Sequence, residues 1–484
     1  MSKTKIVYKD YAIGAENPTA YGAAFHPYSD LDQVPIGVSV DPMATTEENY
    51  WVLDGTHKLY DGQTLGFLSD SISDANCAFP QNSIPAISLE YDEQVTSLGI
   101  SFTFDVECGT YPTEIFVTWY QSGSTLYSGT YYPTSPTWYL QETVEHFDTL
   151  SVSFRKMNLP YTRLRVDQIL LGTDREFTMD EIRDAKITMS TSLISAELPI
   201  CRLTWTLDSQ KDIDYIFQYK QPMEVYNDNR LIGVFYISVA TRLTQDIYRI
   251  ECEDALGILD TMPFEGYNTI TGTGAKSLIT AIINDVFPYV YDSITTVNLK
   301  GLILAGTIRT ALQQVCFAWG AMCTTDGHDS LRFFRPPSSG SVLTKDTVYT
   351  GGQVDTDAIV TRVDVTEHTY TSSASGLVEV LGQRYDDAKT IYSVANPNVL
   401  ASDRNNVKEV KEATLLKGRA DTTAQGVYDY YERRNKAKAK IVWNGERLGD
   451  YVTIPNAWGG STSGNIESID MVLSNTVAAT ITVR

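Results

Sequence analysis

Short segments in which apolar and polar residues alternate follow one another through the first third of the chain. Leu150, Val152 and Phe154, for example, alternate with polar residues, and turn-forming residues separate one such segment from the next. Many short strands at this spacing are typical of a β-sandwich, which we predict over residues 41–173. Residues 1–40 lack sustained periodicity and are predicted to form an N-terminal arm.

A second series of alternating segments begins after residue 173 and indicates further β structure. Its predicted strands cover residues 187–190, 202–207, 222–226, 233–239 and 248–253. The apolar period then becomes helical over residues 275–286 and 308–319, and Thr307 precedes the second of these as an N-cap. Residues 266–338 are therefore predicted to form a small α/β domain.

The last third of the chain returns to β structure around one predicted helix at residues 420–431. Residues 449–484 follow the order strand, turn, long strand, turn, strand, and residues 222–254 follow the same order. This similarity indicates an internal duplication. The predicted fold class is mainly β with a small α/β part.

Three lysines share one face of a predicted strand in this last region. Lys436, Lys438 and Lys440 alternate with two alanines and Ile441, so the small and apolar residues are expected to face the core. The lysines either guard an edge strand against stray pairing or form a basic stripe that meets an acidic partner or a cargo.

Composition limits the class of protein. The 484 residues, 43% hydrophobic and 20% charged, are those of a globular chain of several domains. No apolar stretch approaches the length of a membrane span, and the first residues lack an apolar signal core, so folding in a cytoplasm is expected. The six cysteines are scattered without metal-ligand spacing, and Cys252 and Cys316 are predicted to be buried thiols.

The formal net charge of -22 argues against binding nucleic acid through its phosphates. Residues 101–150 contain six acidic residues and no Lys or Arg. An acidic wall of this kind repels a polyanion such as DNA in transit, although the same acidity also keeps a large assembly soluble.

Arrangements typical of catalysis are absent from the sequence. It contains no zinc-protease motif, no nucleophile-elbow motif and no calcium loop, and residues 272–277 lack the spacing of a phosphate-binding loop. Sequence spacing alone does not reveal a pair of facing carboxylates. We predict no catalytic, cofactor-binding or metal-binding residue and no enzymatic activity. The histidines are predicted to be isolated surface or turn residues: His26, His57, His146, His328 and His368.

Aromatic residues are concentrated in the first domain. Trp119 lies in an apolar strand and is predicted to be part of the core. A second group flanks two prolines and forms either an exposed binding loop or a packed cap. The residues of interest are Tyr50, Trp51, Trp119, Tyr120, Tyr131, Tyr132, Trp138 and Tyr139.

Residues 248–260, 308–335 and 445–454, followed by the closing meander, resemble the hub or tail-associated proteins of tailed phages and related contractile particles. The resemblance covers roughly residues 175–484. It implies a first hub β-barrel domain at residues 174–265 and a second at residues 339–484. It also implies a trimer whose six barrels match a hexameric tail tube.

Residues 49–56, together with the strands that follow up to Gly172, are similar to discoidin-like, galactose-binding-type jelly rolls. In some such domains an Asp-Gly turn helps to hold calcium, but this chain has too few matching ligands, and no metal is predicted. A host surface glycan is the partner that this second resemblance implies.

The resemblances together predict a structural virion protein, the central hub of a tail tip or baseplate that closes the tail tube. Distal tail, tail tube and tape-measure-type proteins are the expected partners, DNA is a transiting cargo, and assembly takes place in the bacterial cytoplasm. The alternative is a glycan-binding tail protein that acts through the jelly roll. A carbohydrate-active enzyme is a third possibility.

Overall fold

The structure is a computed structural model, and it describes residues 4–12, 14–15, 18–23, 43–44, 59–60, 67–106, 108–209, 217–284, 286–325, 330–349, 351–400, 405–474 and 477–484. The chain is mainly β with a small α/β part, which confirms the predicted fold class. It divides into two compact units. One is Lys9–Arg175, and the other is Met1–Tyr8 with Glu176–Arg484, for which we use the label hub unit after the sequence resemblance alone.

The first part of the chain contains strands only. They are β1 (Thr4–Tyr11), β2 (Thr19–Ala23), β3 (Met43–Ala44), β4 (Leu59–Tyr60), β5 (Phe67–Ile72), β6 (Ala86–Ser97), β7 (Ile100–Phe104), β8 (Pro112–Gln121), β9 (Ser124–Tyr131), β10 (Thr137–Leu140), β11 (Val144–Met157) and β12 (Arg163–Thr178).

The second part begins with five strands and continues into the helical region. Its elements are β13 (Ile182–Ser190), β14 (Arg202–Asp208), β15 (Pro222–Asn227), β16 (Arg230–Arg242), β17 (Ile247–Glu253), α1 (Ala255–Asp260), β18 (Pro263–Phe264), β19 (Tyr267–Asn268), β20 (Thr273–Gly274), α2 (Ala275–Ile283), β21 (Tyr289–Asp292), β22 (Asn298–Leu299), β23 (Leu302–Ile303), β24 (Gly306–Thr307), α3 (Ile308–Trp319), β25 (Met322–Thr325) and β26 (Leu331–Phe334).

The third part is again mostly β. Its elements are β27 (Ser341–Val342), β28 (Gln353–Thr356), β29 (Arg362–Ser372), β30 (Val378–Val380), β31 (Gln383–Ala395), β32 (Val407–Val410), α4 (Ala420–Glu432), β33 (Asn435–Val442), β34 (Tyr451–Pro455), β35 (Ser461–Val472) and β36 (Ala478–Val483).

The unit Lys9–Arg175 is built from two sheets around one core. A five-stranded antiparallel sheet has the order β2-β6-β11-β8-β9, and β10, β7, β12 and β5 pair in the other sheet. Trp119 and Leu150 from the first sheet and Phe102 and Leu164 from the second are almost wholly buried in the same cluster. Alternation along the strands thus produces a sandwich, whereas its likeness to a galactose-binding jelly roll stays a prediction.

Strand β1 corrects the prediction of an arm over residues 1–40. Thr4–Tyr8 pair antiparallel with β15 of the hub unit, and Ile6 and Tyr8 are fully buried. Val7 between them is also buried, which breaks the alternation that would have revealed a strand. The partner strand lies more than two hundred residues further along the chain, and local sequence carries no signal of such a pairing.

The helices of the hub unit share a second core. Helix α3 begins and ends as predicted, with a capping box at Thr307 and a left-handed Gly320 (φ 71°) after its last residue. Helix α2 ends at Ile283, earlier than predicted, because Asn284 adopts a left-handed conformation (φ 45°). Strands β29 and β31 form a long hairpin that the sequence analysis did not identify.

The main sheet of the hub unit contains two repeats, and its strand order is β1-β15-β16-β17-β14-β13-β35-β36-β33-β28. We define repeat 1 as β13–β17 and repeat 2 as β28 with β33–β36. In repeat 1 the order β13-β14-β17-β16-β15 corresponds to β28-β33-β36-β35-β34 in repeat 2, since β34 pairs with β35. Every one of these corresponding ladders is antiparallel.

A β-bulge at the same place in each repeat fixes the alignment between them. The register of β16 on β17 shifts between Ile237 and Val239, and that of β35 on β36 shifts between Ile466 and Ser468. With the bulges aligned, buried residues coincide: Met223 with Val452, Val225 with Ile454, Leu203 with Ala437, Trp205 with Ala439, and Leu207 with Ile441. The duplication expected from strand order therefore extends to individual positions.

Candidate functional site

Eight strands of the main sheet form one continuous antiparallel band, β16-β17-β14-β13-β35-β36-β33-β28. The two repeats join within it where β13 pairs with β35, with Ile187 opposite Met471 and Thr188 opposite Asp470. Side chains alternate across each strand, so one side of the band carries the hub core and the other carries polar residues. We call this second side the polar face.

The polar face is rich in hydroxyl-bearing and charged side chains. Its residues include Lys186, Thr188, Arg202, Thr204, Thr206, Thr241, Arg249, Glu251, Asp470, Thr480, Thr482, Lys438 and Lys440. A surface of this composition stays hydrated and offers little apolar area to a passing molecule.

Opposite charges on the polar face are paired, either between neighbouring strands or along one strand. Lys186 lies 3.4 Å from Asp470 at the junction of the repeats. In repeat 1, Arg202 lies 3.1 Å from Glu253, and Arg249 lies 3.5 Å from Glu251. The pairs are largely exposed, so each contributes on the order of 0–1 kcal/mol and mainly balances the local charge.

The three predicted lysines lie on this face, and the two alanines and Ile441 between them are buried. Lys436 is half-buried and contacts Asp357 at 3.5 Å and Glu467 at 3.9 Å. Lys438 is exposed, with no ion pair to any described residue, and Lys440 is also exposed and lies 5.2 Å from the ring centroid of Tyr349. The interpretation as guards of an edge strand is wrong, because β33 lies between β36 and β28.

A depression of about 530 Å³ adjoins these lysines. Its lining comes from both repeats and includes Lys186, Lys438, Lys440, Asp470 and Thr480. Three ammonium groups beside one carboxylate give the depression a local positive charge in a chain of strongly negative net charge. This part of the polar face is therefore suited to an acidic partner.

Buried charges hold the end of repeat 2. The Arg484 guanidinium, with its side chain 2% exposed, pairs with Asp357 and lies 3.3 Å from Glu467 and 4.6 Å from the ring centroid of Tyr430. Partial burial raises the pKa of the Asp357 carboxyl, but Arg484 and Lys436 hold it below its usual value. These groups satisfy one another and are structural.

Asp254, at the corresponding end of repeat 1, is a buried carboxylate that the sequence analysis did not single out. It caps α1 by accepting hydrogen bonds from the backbone amides of Leu256 and Gly257 at 3.1 and 3.4 Å. Burial raises the pKa of its carboxyl to about 6, although the hydrogen bonds partly oppose that shift. The Asp-Ala-Leu-Gly sequence after a strand is the local signal of this cap.

His368 corrects the prediction that every histidine is a surface or turn residue. It is buried in β29, where Nδ1 lies 2.8 Å from Asp387 and Nε2 lies 2.7 Å from the backbone oxygen of Lys411. Both ring nitrogens have partners, so the residue is a structural element of the hairpin. His146 is exposed, whereas His26, His57 and His328 lie outside the described residues.

The remaining chemical candidates are occupied by local contacts. Glu114 lies 2.9 Å from Lys156, and Asp148 accepts a hydrogen bond from the Ser122 amide at 2.6 Å. In the first turn of α2, after the glycine-rich segment, the Lys276 ammonium lies 4.7 Å from the ring centroid of Tyr291. Among the described residues, no group of three or more His, Cys, Asp or Glu side chains could hold a metal ion.

Most of the prolyl-aromatic segment packs as a cap. Tyr131 donates to Glu142 at 3.1 Å, Trp138 stacks on Phe102 at 5.8 Å, and Tyr139 donates to the backbone oxygen of Leu98 at 3.3 Å. Tyr132 alone of this group is exposed. Trp119 is wholly buried, as predicted, whereas Tyr50 and Trp51 lie outside the described residues.

Cys252 and Cys316 are buried, as predicted from their apolar surroundings. Burial raises the pKa of the Cys252 thiol, which therefore stays protonated and unreactive. In the part of the chain that the structure describes, no helix is long and apolar enough to cross a membrane.

No protein-family model matches the sequence, and no curated protein is similar to it in sequence. Its neighbours among solved structures are phage tail proteins.

Three of these structures each cover 64% of this chain. A tail protein from Neisseria meningitidis MC58 is 10% identical, with 93% of its own length covered and a TM-score of 0.46. The 43 kDa tail protein of prophage MuSo2 from Shewanella oneidensis is 13% identical (95% covered, TM-score 0.44). A prophage tail protein from Listeria monocytogenes EGD-e is 11% identical (91% covered, TM-score 0.42).

Proposed function

We propose that this chain is a structural virion protein, the central hub of a phage tail tip or baseplate that closes the tail tube. The observation that carries the proposal is the duplication within one continuous antiparallel band, aligned at the bulges of Ile237–Val239 and Ile466–Ser468. A chain with two equivalent repeats places six of them in a ring when it forms a trimer. Such a ring has threefold symmetry by chain and near-sixfold symmetry by repeat, which suits a hexameric tube.

In this function the polar face lines the axial passage. Threonine hydroxyls keep it hydrated, and the ion pairs at Lys186–Asp470 and Arg202–Glu253 balance its charge. DNA passing such a wall meets neither an apolar surface nor a continuous basic one, so it is not retained. Lys438 and Lys440 are the exception, and we assign them to a contact with an acidic tail partner.

Distal tail, tail tube and tape-measure-type proteins are the partners in this assignment, and the virion is the location. The role is architectural rather than enzymatic, in keeping with the engagement of Glu114 and Asp148 by their own neighbours. Purified chain incubated with bacterial cell wall is expected to release no more soluble sugar than a heat-treated sample.

The proposal is tested by the mass of the assembled chain. Light scattering and native mass spectrometry of the chain, alone and with its tube and distal-tail partners, are expected to report three copies or multiples of three. Negative-stain images of the same sample are expected to show six similar lobes around an axis. A chain that remains monomeric in the assembled particle contradicts the proposal.

A further inference from the structure

The band of eight strands ends in two edges that differ in how they are covered. At one edge, residues 239–242 of β16 are all exposed, and Val239 is 51% exposed. At the other edge lies β28, whose only ladder to a described strand is the one with β33. Beyond the half of β16 that pairs with β15, no described strand covers the outer side of β16.

In repeat 2, a neighbouring strand covers the edge that is uncovered on β16 in repeat 1. The bulge alignment places residues 239–242 of β16, with Leu243 after them, on residues 468–472 of β35. That stretch of β35 pairs with β13, and Ile469 and Met471 within it are fully buried. The corresponding Ala240 and Arg242 of repeat 1 are exposed. Repeat 1 therefore lacks the strand that repeat 2 receives from β13.

The equivalent of β13 in repeat 2 is β28. Lys186 of β13 lies opposite Thr204 of β14, and Gln353 of β28 lies opposite Lys438 of β33, the position equivalent to Thr204. The distance within one chain prevents β28 from reaching β16. Seven ladders separate them, which amounts to roughly 34 Å at about 4.8 Å per strand.

We propose that β28 of one copy pairs antiparallel with the uncovered half of β16 in the next copy, repeating the junction that β13 and β35 make inside each chain. The register of the new ladder follows from the β13–β35 junction when β13 is replaced by its equivalent β28 and β35 by its equivalent β16. It places Gln353 opposite Leu243, Val354 opposite Arg242, Asp355 opposite Thr241, and Thr356 opposite Ala240. This ladder rests on the trimer of the proposed function and names the strands that would hold it together.

The side chains on the core side of the ladder suit this pairing. Inside the chain, Ile187 lies opposite Met471. Between chains, Val354 lies opposite Arg242, whose aliphatic stem covers a similar area while its guanidinium lies 5.3 Å from the ring centroid of Tyr248 and donates to the backbone oxygens of Thr244 and Gln245. Leu243, 56% exposed at the end of the uncovered edge, is also brought against a neighbouring strand.

Charge on the polar side also favours the pairing. Thr241 lies opposite Arg249 on β17 in the same chain. In the proposed ladder, Asp355 of the next copy lies opposite Thr241 in the same row of side chains. Its carboxylate therefore approaches the Arg249 guanidinium, which is two strands away. Asp355 also lies opposite Lys436 of its own chain, so the ladder sets one carboxylate between two cations. The two surfaces differ, so the contact is head-to-tail and forms a ring if it closes.

Paired cysteines test the register of the ladder. Asp355→Cys combined with Thr241→Cys places two thiols directly opposite each other between copies. Mild oxidation of the assembled protein is expected to link them into covalent dimers and trimers, at least tenfold more than with the mismatched pair Asp355→Cys and Arg249→Cys. The native chain with its own cysteines is the background control. Circular dichroism of the reduced variants checks that each is folded.

The outcomes separate this ladder from the proposed function. If light scattering shows trimers but the matched cysteine pair cross-links no better than the mismatched pair, the ladder is wrong and the hub function is unaffected. A chain that stays monomeric with its tail partners overturns both.

Charge reversal gives a second measurement that needs no disulfide. Asp355→Arg is expected to weaken trimer association by about fivefold, because it brings a second guanidinium towards Arg249, two strands away across the interface. Adding Arg249→Asp is expected to restore most of that loss. Equal association by the native chain, the single variant and the double variant rules out the ladder.

Discussion

At the position where repeat 1 buries Trp205, repeat 2 buries Ala439. Both residues lie on equivalent strands, with Trp205 opposite Ile250 and Ala439 opposite Ile481. The Trp205 ring packs against Phe177 at a centroid distance of 5.2 Å, whereas the Ala439 side chain is a single methyl group. The backbone ladder and its bulge are shared, while the volume that fills the core is not. Core packing has thus diverged between the two halves of the sheet, while the register has been kept.

The outermost strands of the repeats differ even more. Repeat 1 receives β1 from the start of the chain in antiparallel pairing, whereas repeat 2 receives the two-residue strand β27 in parallel pairing. Ile6 and Tyr8 of β1 are wholly buried, but Val342 of β27 is 69% exposed. Repeat 1 therefore depends on the side chains of its outermost strand for its core, whereas Val342 of β27 adds nothing to the core of repeat 2.

The largest expected effect follows from this dependence. Replacing Ile6 and Tyr8 together by alanine removes two buried side chains and is expected to cost about 6 kcal/mol of unfolding free energy. Urea denaturation followed by tryptophan fluorescence measures it. Val342→Ala in β27 is the matched control and is expected to change stability by less than about 0.5 kcal/mol. Equal losses in both variants contradict the difference between the repeats.

The second expected effect concerns the core position at which the repeats differ. Trp205→Ala leaves a cavity beside Phe177 and is expected to cost about 4 kcal/mol. Ala439→Val adds volume to a filled core and is expected to cost about 1–2 kcal/mol. The same denaturation assay compares the two. A larger loss from Ala439→Val than from Trp205→Ala shows that the two positions are not packed as described.

The third expected effect is a pH dependence carried by the end of repeat 1. The Asp254 carboxyl has a folded pKa of about 6, above its ordinary value of 3.8, so the folded chain binds this proton more tightly. Its contribution to stability is fully present below about pH 4 and is lost as pH rises through 6, by about 3 kcal/mol.

Asp254→Asn keeps the helix cap but does not titrate. The stability difference between native chain and variant is therefore expected to shift by this amount between pH 4 and pH 7, in favour of the variant at pH 7. A difference that stays constant over this range shows that Asp254 does not titrate there.

The smallest effect on stability, with a large one on assembly, is expected from the exposed lysines. Lys438→Glu with Lys440→Glu is expected to change the unfolding free energy by about 0.5 kcal/mol or less. Incorporation into tails is expected to fall strongly, because the depression at these lysines becomes acidic. Thr204→Glu with Thr206→Glu adds the same number of acids at the equivalent positions of repeat 1 and is the matched control. Normal yields of infectious particles from the lysine variant show that these lysines only contact solvent.

Local patterns predicted most of the elements. Thr307 and Gly320 mark the two ends of α3, because helix caps depend on residues close together in sequence. The alternation at residues 436–441 likewise placed three lysines on one face of β33. The fold class and the order of the last three strands followed from the same kind of signal. These are features in which each residue interacts mainly with its neighbours in sequence.

Non-local features were beyond that reasoning. The pairing of β1 with β15 and of β13 with β35 joins segments more than two hundred residues apart, and nothing near either strand marks the partner. His368 also looks isolated in sequence, because its partner Asp387 is brought close only by the hairpin of β29 and β31. The polar face also depends on a non-local contact, because the junction of β13 with β35 joins the two repeats into one sheet.

The paired bulges have a consequence for geometry beyond alignment. A bulge bends its strand and increases the local twist, so bulges at the same position of each repeat give the band the same bend twice per chain. In the proposed ring, where chains are linked end to end, these bends add to the curvature of the wall. For that proposed ring, the extra residue in β16 and its counterpart in β35 are expected to influence the diameter of the central opening.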